Sequence, residues 1–192
     1  MKPFGLIFKL FGIFALLVSA TAQAGKFDIT PALQAELDKQ KKLVATWAST
    51  PAIVNAVKAQ NVKGPLAGMD NLQWKAMRRS DPRIAEFQSN EAGVFLKSKL
   101  DGSANLYSEA FLSAASGEKV TFVEKTSSYI HKGAAKFDVP FTTGVAWQGV
   151  PEFDESSQTY AIQLAVPVNA DSKAIGVLVV GVSLVQLEKA AK

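Results

Sequence analysis

Near residue 102 the hydrophobic pattern of the chain changes period, and that switch limits what the chain can fold into. Upstream, Leu33, Leu37, Val44 and Trp47 recur at helical spacing behind Thr30-Pro31, a cap followed by proline at the first helical position. Thr50-Pro51 repeats the start signal, so either a second helix begins there or one long helix kinks. Ile53, Val54 and Val57 supply its apolar face. After a loop over Asn61–Gly68, Asp70 is placed to cap a short helix carrying Leu72, Trp74 and Met77. Ser80-Asp81-Pro82 starts another helix, with Ile84 and Phe87 facing inward. A last helix around Gly93–Leu100 ends in the turn Asp101-Gly102.

Downstream the pattern alternates. Leu106–Ala115 reads as a strand that turns at Ser116-Gly117 into "KVTFVEKT", a hairpin. Tyr160–Val168 and Ala174–Leu184 read as a second hairpin joined by the polar turn "NADSK". Between the hairpins lies the stretch Thr126–Tyr160, rich in Gly, Pro and aromatic residues. A connection of that length in a compact domain is often functional. The expected fold is α+β: a long N-terminal helix and a helical layer (28–101) packed on an antiparallel sheet (102–192).

The first 24 residues stand apart. Lys2 and Lys9 precede an uncharged, mostly apolar run from Leu10 to Ala20, and Ala22 and Ala24 form an A-x-A site. These are the parts of a secretory signal, with cleavage expected after Ala24 and a single domain over 25–192. The alternative is an uncleaved anchor, but the run is short of the ~20 residues a span needs. The most apolar later segment, Ala174–Leu184, suits a buried strand, so a soluble, exported, periplasmic protein is expected. Removing Lys2 and Lys9 lowers the formal charge from +4 to +2, too mild to argue for nucleic acid. With no cysteine, the chain has no disulfide, thiol nucleophile or Cys-held metal. No G-x-S-x-G elbow accompanies the single histidine, His131, so an enzyme is not expected and no cofactor is implied.

Four quoted stretches carry a family resemblance. "YSEAFLSAASGEKV" runs an aromatic-Ser-Glu strand into a turn glycine. "TSSYIHKGAAKF" places a tyrosine-centred turn before "G-x-x-K-F" and a helix. "VPEFDESSQTYAIQLAVPV" gives a strand an acidic approach, and "AIGVLVVGVSL" closes the sheet. In this order, with Asn90 six residues before Leu96, the chain resembles the Cache, or PDC-type (PAS-like), extracytoplasmic sensor domains of bacteria. The resemblance implies a PAS-like sheet and a small ligand, an organic acid or amine, held between the sheet and its long connection. It implies a membrane-bound kinase, cyclase or chemoreceptor as partner, and a homodimer through the N-terminal helix. Its stand-alone form would pass ligand occupancy to that partner. Two departures stand out. Ile130 and Ala134-Ala135 occupy positions where relatives tend to carry Trp and an acidic pair, which favours an alternative: a periplasmic structural or interaction protein with a vestigial pocket. Gly181 lies near the position of the aspartate that pairs with an α-ammonium group, which argues against an α-amino acid ligand of the usual type.

Several residues are candidates for ligand contact. Trp74 and Arg78, four apart on the third helix, would frame a carboxylate, or else are a core Trp with a surface Arg. Tyr107, Glu109, Tyr129 and Trp147 lie on or beside the long connection, as pocket walls or as packing. Strict alternation puts Tyr107, Glu109 and Phe111 on one face, where a glutamate must be paired or sit at a pocket edge. His131 reads as a surface or pocket-rim residue. In the acidic group Glu152, Asp154 and Glu155, the resemblance gives Asp154 the role of fixing the connection that closes the pocket; otherwise the group is a solvated loop.

Overall fold

The computed structural model describes residues 27–154 and 159–190; the leader and its cleavage site lie outside them. The chain runs α1 (Pro31–Ala48), α2 (Pro51–Lys63), α3 (Asn71–Ala76), α4 (Pro82–Ser89), α5 (Glu91–Asp101), β1 (Tyr107–Ala114), β2 (Lys119–Phe122), α6 (Ala135–Thr143), β3 (Trp147–Gln148), β4 (Glu152–Asp154), β5 (Thr159–Ala170), β6 (Lys173–Ser183) and α7 (Leu184–Ala190). Side-chain oxygens cap four of these helices. Thr30 accepts from the Leu33 N–H, Asp70 from Leu72 and Gln73, Asp81 from Arg83, and Asn90 from Gly93. Thr50-Pro51 starts a separate helix, because the chain breaks helical geometry at Ser49-Thr50.

The strands form one antiparallel sheet in the order β2-β1-β6-β5-β3, with β4 also paired to β5. The α+β expectation therefore holds, with the two hairpins joined through β1 and β6. Helices α1, α2 and α5 bury one face over Leu33, Leu37, Ile53, Val57, Leu96, Leu112 and Val180. The other face is covered in part by α3, α4, α6 and the chain before α6, around Trp74, Phe111, Phe122, Tyr129 and Phe137. This explains the unbroken apolar run in β6. Leu178, Val180 and Val182 meet the helical layer while Val177 and Val179 meet the second cluster. A strand covered on both faces has no polar side to alternate with.

Thr126–Tyr160 is not an extended loop: α6, β3 and β4 lie within it. The β5–β6 turn is held by Asp171 and Ser172, both at positive φ (50° and 61°), the geometry of a tight two-residue hairpin. At Gly176 a Cβ would lie 2.4 Å from the Ser113 carbonyl oxygen and 2.8 Å from a Val57 methyl. Gly176→Ala is therefore expected to destabilise the protein by about 1–3 kcal/mol, since backbone must move to admit the methyl. A denaturant midpoint equal to wild type would show that α2 does not pack this closely on β6.

Candidate functional site

A cleft of about 710 Å³ opens on the second face of the sheet. Its floor is Ser108 and Glu109 of β1, Gly181 of β6, and Ala161 and Gln163 of β5. Its walls are Trp147, Glu152 and Phe153 from the connection, with Arg79 and Glu124 across from them.

Glu109 reaches this floor through a register irregularity. Tyr107 pairs with Val182 and Glu109 with Gly181, so one extra residue of β1 falls between them. That shift corrects the alternation expected from sequence. Tyr107 turns to the helical layer, edge-on to Trp47 at 5.0 Å, and its hydroxyl donates to Gln40. Glu109 faces the cleft on the opposite side. Its side chain lies across Gly181: a Cβ there would be 2.7 Å from Glu109 Cγ and 2.7 Å from Ser108 Oγ. A carboxylate from the neighbouring strand thus lies over Gly181.

Glu109 Oε1 accepts a 2.6 Å hydrogen bond from the Gln163 amide, whose own oxygen accepts from Lys136 Nζ at 3.1 Å. Arg79 and Glu124 form an ion pair at 3.3 Å, with both side chains well exposed. Gly149 allows the Trp147 ring to fold close to the backbone, since a Cβ at 149 would be 3.1 Å from it. Phe153 stands edge-on to Tyr160 at 5.3 Å.

The other residues named from sequence are placed elsewhere. Trp74 is fully buried, its indole N–H donating to the Thr126 carbonyl at 2.8 Å, among Phe87, Phe122 and Tyr129. Arg78 does not share its face, because α3 ends at Ala76; Arg78 is exposed and its neighbour Arg79 lines the cleft instead. Tyr129 is fully buried, and its hydroxyl accepts from the Leu66 N–H at 2.9 Å. Asp154 ends β4, paired with Thr159, and Glu155 lies outside the described residues.

His131 is buried rather than on a rim. It stacks on Phe111 at 4.6 Å, and its Nε2 lies 2.8 Å from Nζ of the fully buried Lys119. Lys119 sits 3.2 Å from the centre of the same Phe111 ring. Burial pushes the Lys119 pKa well below its ordinary value, because a charged ammonium loses its hydration there. Burial, with the Lys119 and Lys136 charges, pushes the His131 pKa down to about 3. The pair is a core feature and does not line the cleft.

Of the residues named from sequence as ligand contacts, Glu109 and Trp147 line the cleft. Arg79, Glu124 and Gln163 line it as well, with Lys136 bonded to Gln163. Arg79 follows Arg78 just past the end of α3. Gln163 and Lys136 carried no local signal, since their roles come from contacts distant in sequence.

No family model matches the chain, and none of the curated proteins does. Solved structures do resemble it. One is the ligand-binding domain of the Pseudomonas aeruginosa PAO1 amino acid chemoreceptor PctC in complex with GABA: 16% identity, TM-score 0.47, covering 82% of this chain and 58% of that one. Another is the ligand-binding domain of the Pseudomonas fluorescens chemoreceptor CtaA in complex with L-valine: 14% identity, TM-score 0.47, covering 84% of this chain and 60% of that one. A third is the sensor domain of the Vibrio cholerae histidine kinase DctB: 14% identity, TM-score 0.40, covering 83% of this chain and 57% of that one. The chain thus spans less than two thirds of each. All three are described as sensory or ligand-binding domains. Among the described residues no helix is long and apolar enough to cross a membrane.

Proposed function

We propose that the protein is an exported sensor module whose ligand, a small organic amine, occupies the cleft over Gly181. The observation that carries this reading is Glu109 lying across Gly181, a carboxylate on the cleft floor in the space a side chain at 181 would fill. Arg79 and Glu124 neutralise each other, and among the described residues neither Glu109 nor Glu152 has a salt-bridge partner on the lining. Trp147 and Phe153 add aromatic faces that attract a cation. Sequence argued against an α-amino acid ligand of the usual type because residue 181 offers no carboxylate; Glu109 brings one beside it. A small acid is the weaker match, since Arg79, the cation on the lining among the described residues, is already paired with Glu124.

In this reading the leader delivers the protein to the periplasm, and a membrane-bound kinase, cyclase or chemoreceptor receives the occupancy signal. The exposed lysine-bearing side of α1 is the surface offered to such a partner or to a second copy. A second reading, an interaction protein with a vestigial pocket, is favoured by one observation: Trp74, Tyr129 and His131 are packed shut against the sheet.

Isothermal titration with n-butylammonium separates the two readings. Saturable binding is expected in wild type, weakened at least about 30-fold in Glu109→Gln, because losing the charge partner of a bound ion costs about 2 kcal/mol or more. An unchanged melting temperature would show that the variant is folded. No saturable binding to wild type would favour the vestigial pocket.

A further inference from the structure

We propose that Lys136 and Gln163 are positioning residues that make Glu109 an acceptor for a ligand N–H, so that the cleft selects primary and secondary ammonium ions over quaternary ones. The inference rests on the cleft being the ligand site. It follows from donor and acceptor counts along one chain of side chains: Lys136 Nζ to Gln163 Oε1 at 3.1 Å, then Gln163 Nε2 to Glu109 Oε1 at 2.6 Å.

A lysine ammonium has three donors and no acceptor. Lys136 can face only the oxygen of the Gln163 amide. Turning that amide over would set its NH2 against the ammonium and its oxygen against the carboxylate, two repulsive contacts in place of two bonds. The Gln163 NH2 must therefore point at Glu109, and Glu109 must accept. A protonated Glu109 donating into Gln163 would need the forbidden orientation. Lys136, on α6, thereby sets the polarity of a group on β1 through a neutral amide on β5. With Oε1 held by Gln163, Oε2 is the oxygen left to a ligand. A carboxylate oxygen with a fixed direction rewards an N–H pointed at it; a tetramethylammonium ion has none to offer.

Lys136 is only half-buried, and besides Gln163 it stands 5.6 Å from the Phe111 ring, a weak cation–π contact at that range. Removing it should therefore change the melting temperature little, whereas a core residue would lower it markedly.

The test uses the full protein, its Lys136→Met and Lys136→Arg variants, and three probes: n-butylammonium, tetramethylammonium and butyrate. Wild type is expected to bind n-butylammonium at least tenfold more tightly than tetramethylammonium, and butyrate least. Lys136→Met should lose that preference, with n-butylammonium affinity down at least tenfold and the melting temperature little changed. Lys136→Arg, which restores the donor, should recover it. In ¹⁵N-resolved spectra one Gln163 side-chain amide proton should lie downfield because of its short bond to Glu109, and should move upfield in Lys136→Met. Equal n-butylammonium binding by wild type and Lys136→Met, or an unmoved Gln163 signal, overturns the positioning role and leaves the ligand site standing. Butyrate binding best overturns the choice of cation. Absence of saturable binding by all three probes to wild type overturns the ligand site itself, and this inference with it.

Discussion

Lowering the pH from 6.5 to 3 is expected to cost the folded protein roughly 4–5 kcal/mol through His131 alone, at about 1.4 kcal/mol per unit of pKa difference. Above pH 6.5 the imidazole is neutral in both folded and unfolded chains and contributes no slope. Below it the unfolded chain takes up the proton at an ordinary histidine pKa. The folded chain, with His131 pushed down to about 3, does not. Stability is therefore lost progressively between those two values. Lys119 acts with the same sign at higher pH: its folded pKa is depressed, so the unfolded chain binds the proton first as the pH falls. Burial beside the Phe111 ring is the first cause of both shifts, and at His131 the Lys119 charge, 2.8 Å from Nε2, and the Lys136 charge add to it. Denaturant midpoints at pH 7.5, 5.5 and 4 would check this against the double variant Lys119→Met/His131→Phe. The double variant should show a shallower acid slope and equal or greater stability at pH 7.5, since apolar groups of similar size replace a buried polar pair. Parallel slopes in the two proteins would contradict the account of this pair.

Trp74→Ala is expected to destabilise the protein by about 3–5 kcal/mol, the range for deleting a large buried aromatic side chain. Trp74 is fully buried, edge-on to Phe87 and Phe122 at 5.6 and 5.5 Å, and next to Tyr129 at 5.4 Å. Its loss leaves a cavity among three rings and an unpartnered Thr126 carbonyl. Against a typical total of about 5–15 kcal/mol, that brings the fold close to its limit. Trp74→Phe should cost less, because the ring contacts survive in part and only the indole N–H is lost outright. Thermal and chemical unfolding of the two variants would measure both. A loss below about 1 kcal/mol for the alanine variant would mean that α3 is not held on the sheet as described.

The helical half was legible in sequence because local chemistry decides it. Thr30-Pro31, Thr50-Pro51, Asp70 and Asp81-Pro82 each start a helix where the cap rules place one. The hairpins were legible for the same reason, through Ser116-Gly117 and Asp171-Ser172. Two misplacements arose where tertiary contacts override the local pattern. The extra residue between Tyr107 and Glu109 sends those side chains to opposite faces, and no alternation rule anticipates it. His131, read as a surface or pocket-rim residue, is buried against Phe111 and Lys119. Helix α7 was missed because seven residues at the end of a strand carry too little pattern to stand out. The site divides in the same way. Glu109 was legible as a charge among aromatic residues, whereas Gln163 and Lys136 gain meaning only from the sheet and helix that bring them to it.

The most direct measurement of the central claim is an amide and indole chemical-shift titration of the protein with n-butylammonium, run in parallel on Glu109→Gln. The account predicts saturable shifts at Ser108, Glu109, Gln163, Gly181 and the Trp147 indole, reduced or abolished in the variant. Saturable shifts of the same size in Glu109→Gln, or none at these residues in wild type, would contradict it.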